Sequence, residues 1–382
     1  MANNKGMAKA KNNKKDEFYT RLEDIEIELK NYKEHFENKI VLCNCDDPYE
    51  SNFFKYFALN FNTLKLKKLI CTCYAGSPIV TEQLSLFDVK GIVVNKKTEK
   101  SPYKIEISEV ADSNGDGAID LSDVEELLKN KKNVLTLLNG DGDFRSDECI
   151  ELLKQSDIVV TNPPFSLFKE YVPLLMKYKK KFVILSTMQS IKYKEIFPFI
   201  LNGEMWSGYS FNKTMEFMMP NSYELKGKGF VDSEGRKHGF VPGICWLTNL
   251  DIKKRHEDIL LYKKYNEHDY KKYDNYDAIE IKNVNEIPID YQGKMGVPIS
   301  FLEKFNPDQF EIVGSSDLPD TLPGIKILGK EWINNYKKQG GTGHYTANMR
   351  SVGYSADGKY KIIFSRLIII NKRLKGSANN GD

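Results

Sequence analysis

Five short apolar runs frame this chain: 39–43, 68–73, 134–138, 157–160 and 181–185. Each spans four to six residues with polar flanks, the form of a strand buried on both faces. Stretches with helical spacing, 51–60, 124–129, 148–154 and 168–179, fall between several of them. Strand alternating with helix points to a doubly wound α/β domain with a mostly parallel sheet. Ligands of such sheets sit beyond the carboxyl ends of the strands. That singles out the loops starting at Asn44, Asn139 and Thr161. Ahead of the first strand, Leu22, Ile25, Leu29 and Tyr32 recur at helical spacing and predict a helix over 16–36.

Beyond about Met205 the alternation fades and Gly, Tyr, Asn and Lys increase. Candidate strands there are 243–247 and 361–370, and 339–344 is a Gly-rich loop. The 382 residues divide into a disordered basic arm (1–15), an α/β domain (16–290) with an acidic insertion (104–130), and a smaller mixed α+β module (291–376). No apolar run approaches the roughly 18 residues of a membrane span. The Lys-rich start lacks the apolar segment of a secretory signal, and six cysteines in so long a chain are not a disulfide scaffold. The expected setting is cytoplasmic. Charge is strongly segregated: residues 1–15 carry +5 and 325–376 carry +9, while the whole chain carries only +3. A basic surface set against an acidic body suits a polyanionic partner.

The sharpest local motif is Thr161-Asn162-Pro163-Pro164-Phe165, directly after the strand 157–160. Two prolines fix the backbone and remove two N–H donors. The loop can then present the Asn162 amide and the Pro163 carbonyl as acceptors for an exocyclic amine. Phe165 supplies a face on which the ring bearing that amine can stack. Such a design activates a poor nucleophile whose lone pair is delocalised into a heteroaromatic ring. A cytosine-C5 mechanism is excluded, because it needs a thiolate, commonly in a Pro-Cys pair, and no Pro-Cys occurs. The pairs Cys43/Cys45 and Cys71/Cys73 invite a zinc reading, yet at the ends of core strands they read better as small hydrophobes.

The same motif is the signature of amino-methyltransferases that use S-adenosylmethionine, and the wider pattern resembles the EcoRI-type adenine-specific DNA methyltransferase family. The segments carrying the resemblance include Asp16-Glu-Phe-Tyr-Thr20, Cys43-Asn-Cys-Asp-Asp-Pro48, Ser51-Asn-Phe-Phe-Lys-Tyr-Phe57 and Gly140-Asp-Gly-Asp-Phe-Arg-Ser146. They continue through 156–168, 246–250, 273–278, 295–298 and 305–310, with a weaker echo at 364–373. The resemblance implies a Rossmann-like catalytic domain with a C-terminal recognition region. It also implies an adenine flipped out of double-stranded DNA and methylated at N6. The enzyme would work beside a cognate restriction endonuclease, without a stable complex, or as a solitary methylase near the nucleoid of a bacterium or phage host. Carried over by motif, Asn162, Pro163, Pro164 and Phe165 form the catalytic loop. Tyr19 and Thr20 help fix the methionine end of the cofactor, Asp46, Asp47 and Pro48 line its pocket, and Asp143 and Phe144 hold and cover its adenine. The family's Gly-rich loop appears here as Asp47-Pro-Tyr-Glu-Ser-Asn-Phe-Phe54, and Cys71-Thr-Cys73-Tyr74 stands where a ribose-binding acid is expected.

Protein-glutamine methylation and RNA adenine methylation use related loops and are alternatives on sequence grounds. A third alternative comes from Asp112-Ser-Asn-Gly-Asp-Gly-Ala-Ile-Asp-Leu-Ser-Asp123. Asp112, Asn114, Asp116 and Asp123 stand at the positions of a calcium loop, which would be structural, or part of a calcium-responsive DNA-binding protein without catalysis. The other reading is an acidic loop turned by two glycines, since position twelve is Asp and 104–110 looks like strand.

Overall fold

The computed structural model describes residues 19–45, 51–73, 102–112, 115, 119–120, 123–124, 134–219, 223–225, 227–345 and 350–375. They form two compact units: one of 1–196 with 207–250, the other of 197–206 with 251–382. The basic arm 1–15 lies outside the described residues.

The first unit is built on a large mixed sheet. Its strands are β1 (Tyr19–Thr20), β2 (Ile40–Cys43), β3 (Lys68–Thr72), β4 (Tyr103–Ile107), β5 (Val134–Leu137), β6 (Ile158–Thr161), β7 (Lys181–Thr187), β8 (Lys213–Met219), β9 (Phe230–Val231) and β10 (Lys237–Thr248). The main order is β1-β8-β10-β7-β6-β2-β3-β4-β5, with β9 paired to β10. Parallel pairing joins β7, β6, β2 and β3. In these strands the apolar runs are buried almost throughout, as double-sided coverage requires.

Three helices pack with this sheet: α2 (Asn52–Leu59), α3 (Asp147–Gln155) and α4 (Phe168–Lys177). Ser51 and Ser146 cap α2 and α3 by accepting from Phe54 N and Cys149 N, each at 3.3 Å. Phe53 of α2 meets Trp246 of β10 edge-on at 6.0 Å, and Phe57 meets Phe36 at 5.1 Å.

Two expectations are corrected here. The sheet is mixed rather than mostly parallel, because β4 runs antiparallel between β3 and β5, and β8 and β10 add an antiparallel flank beside β7. The alternating Tyr-Lys-Ile-Glu-Ile of β4, buried at every second residue, is the pattern of an antiparallel strand. The helix expected over 16–36 is shorter. Tyr19 and Thr20 instead pair with Met218 and Phe217. Helix α1 (Leu22–Leu29) follows, then a 3-10 turn (Lys30–Tyr32) and a last helical turn (Lys33–Phe36).

The second unit holds a four-stranded sheet and a hairpin. The sheet order is β11 (Ile279–Glu280), β12 (Met295–Pro298), β16 (Arg366–Asn371), β13 (Phe310–Ser315), with only β11 and β12 parallel. The hairpin, β14 (Gly353–Ala356) and β15 (Lys359–Ile362), turns at Asp357 and Gly358, both with positive φ (52° and 72°). That is the backbone twist a two-residue hairpin loop needs. Helix α5 (Lys330–Lys338) packs on this hairpin through Ile333 and Ile362. The single strand expected over 361–370 divides into β15 and β16 at Ser365, whose φ is 49°. Besides 197–206, this unit takes in the chain from Asp251 onward, ahead of the expected 290, and β11 already belongs to its sheet.

Candidate active site

Strand β6 ends in Thr161 and delivers Asn162 and the two prolines to the carboxyl edge of the first sheet. Pro164 accepts from Leu167 N at 2.9 Å and opens a 3-10 turn (Phe165–Leu167) that leads into α4. Asn162 and Phe165 are buried, so the loop is packed in place.

The neighbouring parallel strand β2 ends at Cys43 and is followed by buried Asn44. The Tyr171 hydroxyl of α4 donates to Asn44 Oδ1 at 2.6 Å. Complete burial holds the Tyr171 pKa well above its usual range, so the hydroxyl keeps the proton it donates. The same ring meets Phe144 edge-on at 5.1 Å. One side chain therefore ties together the loop after β2, the loop after β5 and the helix that follows Asn162–Phe165. Sequence reasoning missed Tyr171, and it marked Asn44 only as the start of a ligand-facing loop. Within the sequence, Tyr171 is one more apolar position of an amphipathic helix, and Asn44 is only a polar residue after a strand.

Around Phe144 the backbone is tightly specified. Asp143 Oδ1 accepts from Arg145 N at 2.8 Å and Nε at 2.9 Å, and Oδ2 accepts from Nη2 at 2.6 Å. Arg145 also bonds Glu170 of α4 at 2.5 Å, and its guanidinium lies 5.2 Å from the Phe144 ring centroid. Bonds to Asp143 and then Glu170 push the Arg145 pKa up, fixing its charge. Gly142 has φ of +76°, and a Cβ there would collide with the Cys73 carbonyl, so only glycine lets this loop close on the end of β3.

Tyr19 and Thr20 sit on β1, and the Thr20 carbonyl accepts from Asn52 Nδ2 at 2.7 Å, at the start of α2. Asp46, Asp47 and Pro48 lie outside the described residues. Three buried hydroxyl oxygens, Thr20 Oγ1, Thr72 Oγ1 and Thr161 Oγ1, have no hydrogen-bond partner among the described residues. Thr72 and Thr161 close the carboxyl ends of β3 and β6. Buried polar atoms are normally satisfied, so three such hydroxyls, two of them at this edge, fit a polar ligand.

The calcium reading does not hold for the residues described. Asp112 Oδ1 accepts from Gly115 N at 2.7 Å, and Asp123 Oδ2 accepts from Asp120 N at 2.9 Å. These carboxylates bond backbone N–H groups within the loop, while Asn114 and Asp116 lie outside the described residues. Among the described residues no group of three or more His, Cys, Asp or Glu is placed to hold a metal. Nor is any described helix long and apolar enough to cross a membrane.

Comparison with known proteins gives a concordant result. Residues 6–372 match the family described as adenine-specific methyltransferase EcoRI. The chain is 48% identical over 316 residues to the Type II methyltransferase M.EcoRI of Escherichia coli, covering 82% of this chain and 89% of that protein. It is 38% identical over 310 residues to the Type II methyltransferase M.MpnI of Mycoplasma pneumoniae, covering 80% and 84%. With M.MgeORF184P of Mycoplasma genitalium the identity is 37% over 312 residues, again covering 80% and 84%. No solved structure matches the chain.

Proposed function

This chain belongs to the EcoRI family of adenine-specific methyltransferases, and from that premise we infer that it methylates N6 of adenine within a specific site of double-stranded DNA, as the modifying half of a restriction-modification system. The observation that carries the catalytic assignment is the Asn162–Phe165 loop at the carboxyl edge of β6, joined through Tyr171 to Asn44 and Phe144. The first unit reads as a Rossmann-like catalytic domain, supported by its parallel β7-β6-β2-β3 core. The second unit, which contains the basic stretch 325–376, reads as the DNA-recognition region. All three relatives are named Type II methyltransferases, and nothing in them favours protein or RNA methylation or a non-catalytic role.

S-adenosylmethionine, when bound, supplies an electrophilic methyl group on a sulfonium. The residues present fit it. Phe144 offers an aromatic face held by Tyr171, and Tyr19 and Thr20 lie beside the start of α2. The Thr161 hydroxyl lacks a partner among the described residues. So does the Thr72 hydroxyl, which ends the strand where the family's ribose-binding acid would stand and suits a ribose oxygen. Asp143 serves chiefly to shape the loop that carries Phe144, given its three bonds from Arg145.

At the reacting amine, the Asn162 amide oxygen and the Pro163 carbonyl accept the two N6 hydrogens. That draws the nitrogen lone pair out of the purine ring and aims it at the methyl carbon. S-adenosylmethionine, when bound, would give its methyl group to N6 and leave as the neutral thioether, and N6 would pass its extra proton by way of these two acceptors to water. Phe165 holds the ring flat, and Pro164 keeps the loop from relaxing.

Asn162→Ala is expected to reduce methyl transfer to background while leaving cofactor affinity nearly unchanged. The check is labelled S-adenosylmethionine offered with DNA, RNA and protein together, the modified nucleosides being resolved by mass spectrometry. N6-methyladenine in DNA that disappears with the variant supports both reaction and loop. Full activity in the variant refutes the loop's role.

A further inference from the structure

Strand register places one row of side chains across four strands: Tyr19 of β1 opposite Met218 of β8, Met218 opposite His238 of β10, and His238 opposite Phe230 of β9. Directly opposed residues of an antiparallel sheet share a face, and so do residues two apart on one strand. Phe240, opposite Glu216, therefore belongs to this face as well. With strands about 4.8 Å apart, Phe230 lies roughly 14 Å from Tyr19. The last pair between β10 and β7 is Ile244 with Thr187, so residues 237–241 project past the carboxyl end of β7. That is the edge at which the adjoining strand β6 presents Asn162.

Three of the large apolar side chains exposed among the described residues cluster on this projection: Phe230 (44% exposed), Val231 (54%) and Phe240 (41%). The two aromatic rings are in contact with the sheet and with each other. The Phe230 ring lies parallel to His238, centroids 4.7 Å apart and planes 6° apart, and Phe240 is 6.5 Å from Phe230. His238 Nδ1 is 2.9 Å from Glu216 Oε1 and its Nε2 is 3.0 Å from Asp232 Oδ2. Arg21, next to Thr20, holds Glu216 at 3.0 Å, while Arg236 Nε holds Asp232 at 2.7 Å. Exposed aromatic rings braced in this way by a polar framework are organised for a flat partner, and Lys228 is exposed beside them.

We propose that the Phe230–Phe240 face of the β8–β10 hairpin is a wedge that stacks into the DNA duplex where the target adenine leaves it. The wedge rests on the reading of this chain as a DNA methyltransferase whose catalytic loop is Asn162–Phe165. Extruding a base forfeits its stacking, and an apolar side chain inserted between base steps restores part of it. The hairpin's continuity with β1 and with the catalytic edge selects DNA as its occupant.

The test uses the full chain with Phe230→Ala, Phe240→Ala and Phe230→Trp. The DNA is a duplex carrying the site that wild type modifies in plasmid DNA, in two forms: fully paired, and with an abasic site opposite the target adenine. Thermal melting and cofactor binding of each variant establish that it is folded. The alanine variants are expected to fall roughly 10- to 100-fold in kcat/KM on the paired duplex, the scale of one missing base–aromatic stack. They should come within about threefold of wild type on the abasic duplex, where extrusion costs less. Phe230→Trp should keep wild-type rates on both, and 2-aminopurine at the target should brighten with it and not with Phe230→Ala. Wild-type rates for the alanine variants on the paired duplex, or an equal loss on both duplexes, overturn the wedge while leaving the methyltransferase reading intact. If wild type methylates no DNA, that reading falls and the wedge with it.

Discussion

Glu28 is a fully buried carboxylate on α1 that nothing in the proposed chemistry uses. Its Oε1 accepts from the Tyr32 hydroxyl at 2.8 Å and from Tyr209 N at 2.7 Å, and its Oε2 accepts from Ser210 N at 2.7 Å. It therefore pins the 208–210 turn, which enters the hairpin strand β8, to the helix that follows Tyr19 and Thr20. Burial raises its pKa above the usual carboxylate value of 4.5, against the pull of the three donors. With the folded value above the unfolded one, the native state holds the proton more tightly between the two. Stability therefore falls as pH rises from 4.5 through the folded pKa. Glu28→Gln keeps one acceptor oxygen but sets its NH2 against a backbone N–H, at a cost of about 1–3 kcal/mol. It should also remove this carboxylate's share of the pH dependence. Urea unfolding at an acidic pH below 4.5 and again at alkaline pH checks both points. An unchanged midpoint under the acidic condition would show that the turn is held by other groups.

At the level of elements, β11 and β16 are joined by a buried ion pair. Arg366 Nη2 and Nε bond Glu280 Oε1 at 2.7 and 3.1 Å, and the Tyr273 hydroxyl donates to the other Glu280 oxygen. The side chains are 17% and 3% exposed, so water screens the pair little. Glu280→Ala strands a guanidinium beside the sheet and is expected to destabilise the second unit by about 3–5 kcal/mol. Adding Arg366→Leu should recover part of that loss, which thermal melting of the single and double variants would measure. Nothing in the sequence pairs Glu280 with Arg366, because 86 residues separate them and the sheet alone brings them together. Four of the five apolar runs were legible because double-sided burial leaves an uninterrupted apolar signature, whereas β5 ends the sheet with Thr136 and Leu137 exposed. The two-residue β1 was not, since pairing to Met218 and Phe217 overrides the helical spacing that follows it. Nor was β4's place between β3 and β5, because register is a property of the partner strands. The Asn162–Phe165 loop was readable from its chemistry, whereas its link through Tyr171 to Asn44 depends on a hydrogen bond across 127 residues.

Across the whole molecule, the segregation of charge was plain in the sequence, but the sheet order changes how it must be tested. Truncation at 325 would delete β16, which lies between β12 and β13 with both neighbours paired to it, and would dismantle the second unit along with its charge. Substitution on the surface avoids this. Lys330, Lys337 and Lys338 of α5 and Lys359 and Lys361 of β15 are all exposed, and none forms an ion pair among the described residues. They share these two elements with an aromatic group in which Trp332 stacks with Tyr336 at 6.1 Å and meets Tyr360 edge-on at 5.2 Å. Lysines around aromatic side chains suit a nucleic-acid backbone, with affinity supplied by release of counterions. Replacing the five lysines with Gln should therefore weaken DNA binding and flatten its salt dependence, the slope of log K against log salt falling by about 0.9 for each phosphate no longer neutralised. The melting temperature should stay near wild type, because no buried group is removed. At saturating DNA the methylation rate should also hold, since the Asn162–Phe165 loop belongs to the first unit. Titrations at several salt concentrations decide the matter: a flatter slope with intact turnover assigns phosphate binding to the α5–β15 surface, and an unchanged slope moves it to another basic part of the chain.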